Sequence, residues 1–169
     1  MTTGIRIEQI GAIDEELERE LAGLLTVVVE DGASVGFLPP LTEAEAGRYW
    51  RGVPGEGVIL WAAWEDGQIA GSVQLHLALK PNGLHRAEIA KLMVHPQHRR
   101  RGTARLLMET AEAYASTEDR TLLVLDTRAG DPSNLLYQSL GYVEAGRIPD
   151  YARSAEGELH ETVFYYKKH

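Results

Sequence analysis

The chain of 169 residues contains no cysteine. That absence excludes disulfides, thiolate metal sites and a cysteine nucleophile together, and it leaves the redox compartment open. The chain also lacks an apolar run long enough to span a membrane, and residues 1–16 carry acids where a signal peptide would have a basic start and an apolar core. A cytoplasmic protein with no membrane partner is the expectation. Nor is there a surplus of positive charge: the formal net charge is -8, which weighs against a nucleic-acid partner, because phosphate-backbone affinity grows with accumulated Lys and Arg. No unit of roughly 20 to 50 residues repeats, and there is no low-complexity tract. The two common phosphate motifs, G-x-G-x-x-G after a strand and G-x-x-x-x-G-K-[ST], are both missing, so dinucleotide and nucleoside-triphosphate readings lose their main support.

What is present fits one globular domain over residues 1–169, since 44% hydrophobic and 25% charged residues suit a single ordinary core. The pattern alternates strand and helix. Residues 5–10 read as a short strand, Asp14 caps a helix to about Glu30, and Thr42 starts a second helix through about Trp50. Residues 31–40 between them are turn-rich, either a mobile loop on the substrate side or a plain helix connection. Residues 58–65 are nearly continuously apolar, and Asp66-Gly67 supplies a two-residue hairpin turn. Ile69, Gly71, Val73, Leu75, Leu77 and Leu79 then alternate onto one face, Pro81-Asn82-Gly83 turns the chain, and residues 86–94 form a third strand.

The period next changes to helical, with Ala104, Leu107, Met108, Ala111 and Ala115 on one side. A strand at 121–127 follows, so the strands flanking this helix should be parallel, joined by a right-handed crossover. Asp131-Pro132 reads as a helix start with the aspartate as cap, Gly141 as its end, and residues 142–143 and 159–167 as the last strands. The fold class is therefore α/β, a mixed sheet with helices on both faces. Trp50, Trp61 and Trp64 read as core or pocket wall. The tail Tyr165-Tyr166-Lys167-Lys168 reads as a final strand, and a homodimer contact is left open.

The densest local signal is Arg99-Arg100-Arg101-Gly102-Thr103-Ala104, set between a strand and an amphipathic helix. A helix N-terminus leaves backbone N–H groups unpaired and carries partial positive charge. Gly102 lets the backbone approach closely, and the arginines add charge-assisted hydrogen bonds to a diphosphate. His95 and His98 flank the motif without a third ligand, so no metal site is expected.

This R-x-x-G-x-A pattern resembles the cofactor motif [QR]-x-x-G-x-[GA] of the GNAT acetyltransferase family. Two further stretches agree in the family's order. The strand Ala87-Glu-Ile-Ala-Lys-Leu-Met-Val94 with His95-Pro96 resembles its fourth strand and the turn beyond. Asn134-Leu-Leu-Tyr-Gln-Ser-Leu-Gly-Tyr142 resembles its asparagine, tyrosine and glycine-aromatic signature. The specific match covers residues 87–142. Arg100 stands where glycine is frequent and Thr103 where an aliphatic residue is frequent; neither change removes a backbone N–H. The resemblance implies the GNAT fold, a mostly antiparallel sheet with one splayed parallel pair, and acetyl-CoA as cosubstrate held by Arg99, Arg100, Arg101, Gly102, Thr103 and Ala104. Residues 32–37, 80–83, 86–88, 91–94, 125–127, Gly157 and Leu159-His160 are similar to stretches of a toxin-resistance member of the family, which implies a small, amino-acid-like amine as acceptor.

An aliphatic amine with a pKa of about 10.4 is mostly ammonium near neutrality and cannot attack a carbonyl until it loses a proton. Glu88 is the first candidate base, at the spacing before Arg99 where some family members place a catalytic glutamate; a surface glutamate paired with Arg86 is the plainer reading. Asp126 is the second, closing the run Leu122-Leu-Val-Leu125 and expected to point into the gap between the parallel strands; a strand-end aspartate bonded to nearby backbone is the plainer reading. The family implies oxyanion donors in the backbone of Leu92, Met93 and Val94. It also implies Tyr137 as the acid that protonates the leaving thiolate and Asn134, one turn earlier, as a holder of the pantetheine arm; a core tyrosine is the alternative for Tyr137. A non-catalytic module that senses acyl-CoA, and a structural protein on the same fold, are the competing functions.

Overall fold

A computed structural model of the protein describes residues 4–169; residues 1–3 of the N-terminal stretch considered above lie outside the described residues. In chain order the elements are β1 (Arg6–Ile10), α1 (Glu15–Glu30), α2 (Glu43–Arg51), β2 (Val58–Glu65), β3 (Gln68–Leu77), β4 (Arg86–Val94), α3 (Thr103–Thr117), β5 (Leu122–Arg128), α4 (Ser133–Ser139), β6 (Val143–Arg153) and β7 (Leu159–Lys168). The strands make one sheet in the order β1-β2-β3-β4-β5-β7-β6. The β4–β5 pair is parallel and the other neighbours are antiparallel.

Local chemistry accounts for the boundaries. The Asp14 carboxylate accepts the N–H of Leu17 at 2.8 Å and the Thr42 hydroxyl accepts that of Glu45 at 3.1 Å, capping α1 and α2,. Asp66 and Gly67 both adopt positive φ, 53° and 75°, the backbone a tight hairpin demands. Leu21, Leu24, Leu25 and Val28 of α1, with Trp50 of α2, cover Leu60 and Ala62 on one sheet face. Leu107, Met108, Ala111 and Ala115 of α3 cover Trp61, Val73 and Leu75 on the other.

Three expectations are corrected. The alternation along β3 breaks at Ala70: Ala63 pairs with Gly71 and Trp64 with Ile69, so one extra residue bulges out. Ile69 thereby joins the α1–α2 layer while Val73 and Leu75 face α3, as a one-residue insertion must reverse the faces. β3 ends at Leu77, and Leu79 is exposed rather than buried. Asp131 does not cap α4; its carboxylate accepts from Arg128 Nε at 3.0 Å, and Pro132 occupies the cap position without a side-chain bond. The strand expected at 142–143 extends through Arg153 as an almost wholly exposed edge.

Candidate active site

β4 and β5 pair only at Arg86 with Leu122, Ala87 with Leu123 and Glu88 with Val124. Arg120 fastens this closed end, its guanidinium donating to the carbonyls of Ala78 at 2.7 Å and Arg86 at 3.1 Å. Beyond Glu88 the strands part. One residue of β3, Val73 between Ser72 and Gln74, faces two of β4, Lys91 and Leu92 between Ala90 and Met93, and Lys91 within that bulge has φ 56°. A bulge of this kind bends the strand and re-aims its side chains. The result is a cleft of ≈ 610 Å³ between the two strands, closed on one side by residues 31–36 and on the other by the start of α4 and Tyr151.

The cleft brings together Glu88, Asp126, Tyr137, Leu92, Met93, Val94 and Arg99. Glu88 and Asp126 remain accessible to solvent, yet the walls crowd them enough to disfavour charge. Desolvation pushes the Glu88 carboxyl above its usual range, aided by the neighbouring Asp126 charge and opposed by Lys91,. Desolvation likewise raises Asp126, with Lys91 and a backbone hydrogen bond acting against it.

Lys91 is a site residue that the sequence reading passed over as part of a strand. Its ammonium lies 6.0 Å from the centre of the Phe37 ring, and a Cβ added to Gly36 would stand 3.0 Å from it. Burial lowers its pKa, while Asp126 and Glu88 raise it. No carboxylate of the described residues lies within ion-pair distance of it. A lone cation in the otherwise apolar stretch Ile89-Ala-Lys-Leu-Met-Val94 was the available signal.

Tyr137 is buried among Tyr142 and Tyr165, with both ring centres 6.0 Å away and edge-on. Burial, and then the nearby Asp126 charge, drive its phenol pKa upward, so the hydroxyl keeps its proton. Asn134 sits one turn earlier with its amide engaged inside the protein. Its Nδ2 donates to the carbonyls of Arg128 at 3.0 Å and Asp131 at 2.9 Å, and its Oδ1 accepts from the Tyr165 hydroxyl at 2.7 Å. It fastens the start of α4 to β5 and β7.

The loop at 99–104 enters α3 through Arg100 at φ 62° and Gly102 at φ 85°; Gly102 holds the cap position with no side-chain bond. Nothing lies within 4 Å of where a Gly102 Cβ would be, and the first-turn N–H groups of α3 have no partner within the helix. The three arginines differ. Arg99 pairs with Asp31 at 2.8 Å and Arg101 approaches Glu65 at 3.4 Å, whereas Arg100 has no ion pair among the described residues. Open N–H groups beside an unpaired guanidinium fit a diphosphate. Among the described residues no group of three His, Cys, Asp or Glu side chains is placed to hold a metal.

Comparison with known proteins identifies the family and the fold. The pattern of the Acetyltransferase (GNAT) family matches residues 35–142, well over half the chain. An acetyltransferase of the GNAT family from Streptococcus pneumoniae superposes with TM-score 0.79 at 20% identity, over 98% of this chain and 99% of that one. A Salmonella typhimurium chain assigned as an acetyltransferase, solved with its cofactor acetyl-CoA, gives 0.78 at 15% identity over 97% and 93%. A chain assigned as a phosphinothricin N-acetyltransferase gives 0.77 at 15% identity over 98% of each.

Proposed function

Because this chain belongs to the GNAT acetyltransferase family and takes its acyl group from acetyl-CoA, we propose that it acetylates the primary amine of a small, amino-acid-like acceptor bound between β4 and β5. The observation that carries this reading is the charge arrangement of the cleft, with the carboxylates of Glu88 and Asp126 and the ammonium of Lys91 lining one cavity. The carboxylates attract a substrate ammonium and Lys91 offers a counter-charge to its carboxylate.

Glu88 or Asp126 removes the ammonium proton, directly or through water, and the raised affinity of both for protons favours that step,. The freed amine attacks the thioester carbonyl, with backbone N–H groups of residues 92–94 at the developing oxyanion. The C–S bond then breaks, Tyr137 gives its proton to the departing thiolate, and the proton that the acetylated nitrogen sheds restores the phenol, directly or through water. The diphosphate lies at residues 99–104, and Asn134 serves by positioning α4 rather than by holding the pantetheine arm with its amide N–H groups.

The segments similar to a tabtoxin-resistance protein support a toxin of the tabtoxin type as the sharpest form of the acceptor, in a cytoplasmic detoxification role. One neighbouring structure is named for N-acetylation of phosphinothricin, a small-molecule acceptor. The test is thiol release from acetyl-CoA with free amino acids, carboxylate-free amines and lysine-containing peptides. Turnover on amino acids above both other groups is expected. Turnover on peptides alone would sink the small-molecule reading, and acetyl-CoA binding without turnover on any amine would favour a sensor.

A further inference from the structure

Glu65 is the most deeply buried carboxylate outside the cleft, 2% exposed at the end of β2, and it takes no part in the chemistry between β4 and β5. Its Oε1 accepts a hydrogen bond from His98 Nδ1 at 2.6 Å and lies 3.4 Å from Arg101 Nη1. The His98 bond holds the Glu65 carboxyl below its usual range, with Arg101 adding to the effect, so the oxygen is an acceptor and Nδ1 carries the proton. His98 is itself buried. It closes the 3₁₀ turn Pro96–His98, and its backbone N–H donates to the His95 carbonyl at 2.8 Å.

One oxygen thus ties three pieces of chain: the end of β2, made rigid by the Asp66-Gly67 turn, the turn before the 99–104 loop, and the loop itself. The loop needs such ties. Arg100 at φ 62° occupies a region that disfavours a non-glycine residue and persists only where the surroundings over-determine it. A carboxylate as enclosed as Glu65 is strongly disfavoured without partners, which holds His98 and Arg101 to it,.

We propose that Glu65 is a positioning residue for acetyl-CoA: acting through His98 and Arg101, it sets the backbone of residues 99–104 so that the α3 N–H groups and the Arg100 guanidinium converge on the diphosphate. The inference rests on the reading that the diphosphate binds at this loop. It also divides labour among the arginines. Arg101 neutralises Glu65 from within, and Arg100 meets the ligand.

The experiment compares acetyl-CoA with acetyl-pantetheine, which carries the same thioester arm and no diphosphate. In Glu65→Gln, calorimetry should show acetyl-CoA affinity reduced at least about tenfold, about 1.4 kcal/mol, while acetyl-pantetheine binding, followed by ligand NMR, stays within about twofold of the wild type. His98→Leu should show the same selective loss, and His98→Asn, which keeps an N–H donor near the Nδ1 position, should recover most of it. Equal weakening of both ligands, or undiminished acetyl-CoA affinity in Glu65→Gln and His98→Leu, would overturn the role of Glu65. Gly102→Val separates the two ideas. If it leaves acetyl-CoA affinity intact, the diphosphate lies elsewhere and the underlying reading fails. If it weakens acetyl-CoA and Glu65→Gln does not, only the positioning role falls.

Discussion

Burial and the nearby Asp126 charge keep the Tyr137 phenol protonated, so it has a proton to give a thiolate, though as a weaker acid than a free tyrosine. Tyr137→Phe keeps the ring packed against Tyr142 and Tyr165 and removes only the hydroxyl. It should retain acetyl-CoA affinity within about twofold and lower kcat by roughly 10²-fold, the scale of a lost general acid. Calorimetry and stopped-time thiol release check the two halves. The carboxylates predict a pH effect whose sign follows from their neighbours. Lys91 favours the ionised forms of Glu88 and Asp126, so Lys91→Met should move the rising limb of the rate profile to higher pH. Asp126→Asn removes a charge that raises Glu88 and should move the limb to lower pH if Glu88 is the base. A limb unmoved in both variants would mean that neither carboxylate is titrating in the rate.

At the scale of elements, Gly71 marks where β3 can approach the bulged part of β4. A Cβ there would stand 2.6 Å from the Met93 carbonyl oxygen and 3.3 Å from Leu107. Gly71→Ala should therefore cost about 1–3 kcal/mol, the range of an overpacked core, measured by urea denaturation, and it should weaken acetyl-CoA by displacing the cleft wall. Elements whose signal is local were legible in the sequence: the Asp66-Gly67 turn, the caps of α1 and α2, and the crossover through α3. The bulges at Ala70 and Lys91 were not, because an inserted residue leaves the apolar composition unchanged while reversing which face it serves. The length of β6 beyond Val143 escaped because an exposed edge strand containing Pro149 buries little and shows no alternation,. In the candidate site, Glu88 could be named from its spacing before Arg99, Tyr137 from the family resemblance and Asp126 from its place at the end of an apolar run, and all three line one cleft. Lys91 offered only its charge in an apolar stretch, because its entry into the cleft depends on a bulge, and Glu65 offered nothing, because its partner lies 33 residues away.

At the scale of the whole molecule, the sheet is two fans, β1 to β4 and β5 to β7 with β6, joined along three residue pairs. A ligand binding across the open part should stabilise the fold through mass action, by about 2.7 kcal/mol when acetyl-CoA stands at a hundred times its dissociation constant. A rise in melting temperature with acetyl-CoA concentration would report it. The parting of the strands has one more consequence. From Ile89 onward β4 turns one edge of its backbone to the cleft with no β5 ladder opposite, as β5 does beyond Val124 on the other side. Such amides lose protection against solvent deuterium that interior strands enjoy. Residues 89–94 should therefore take up deuterium faster than the paired residues 86–88 of the same strand, and acetyl-CoA should slow that uptake selectively. The cosubstrate would then act, for as long as it stays bound, as the missing neighbour of an interrupted sheet.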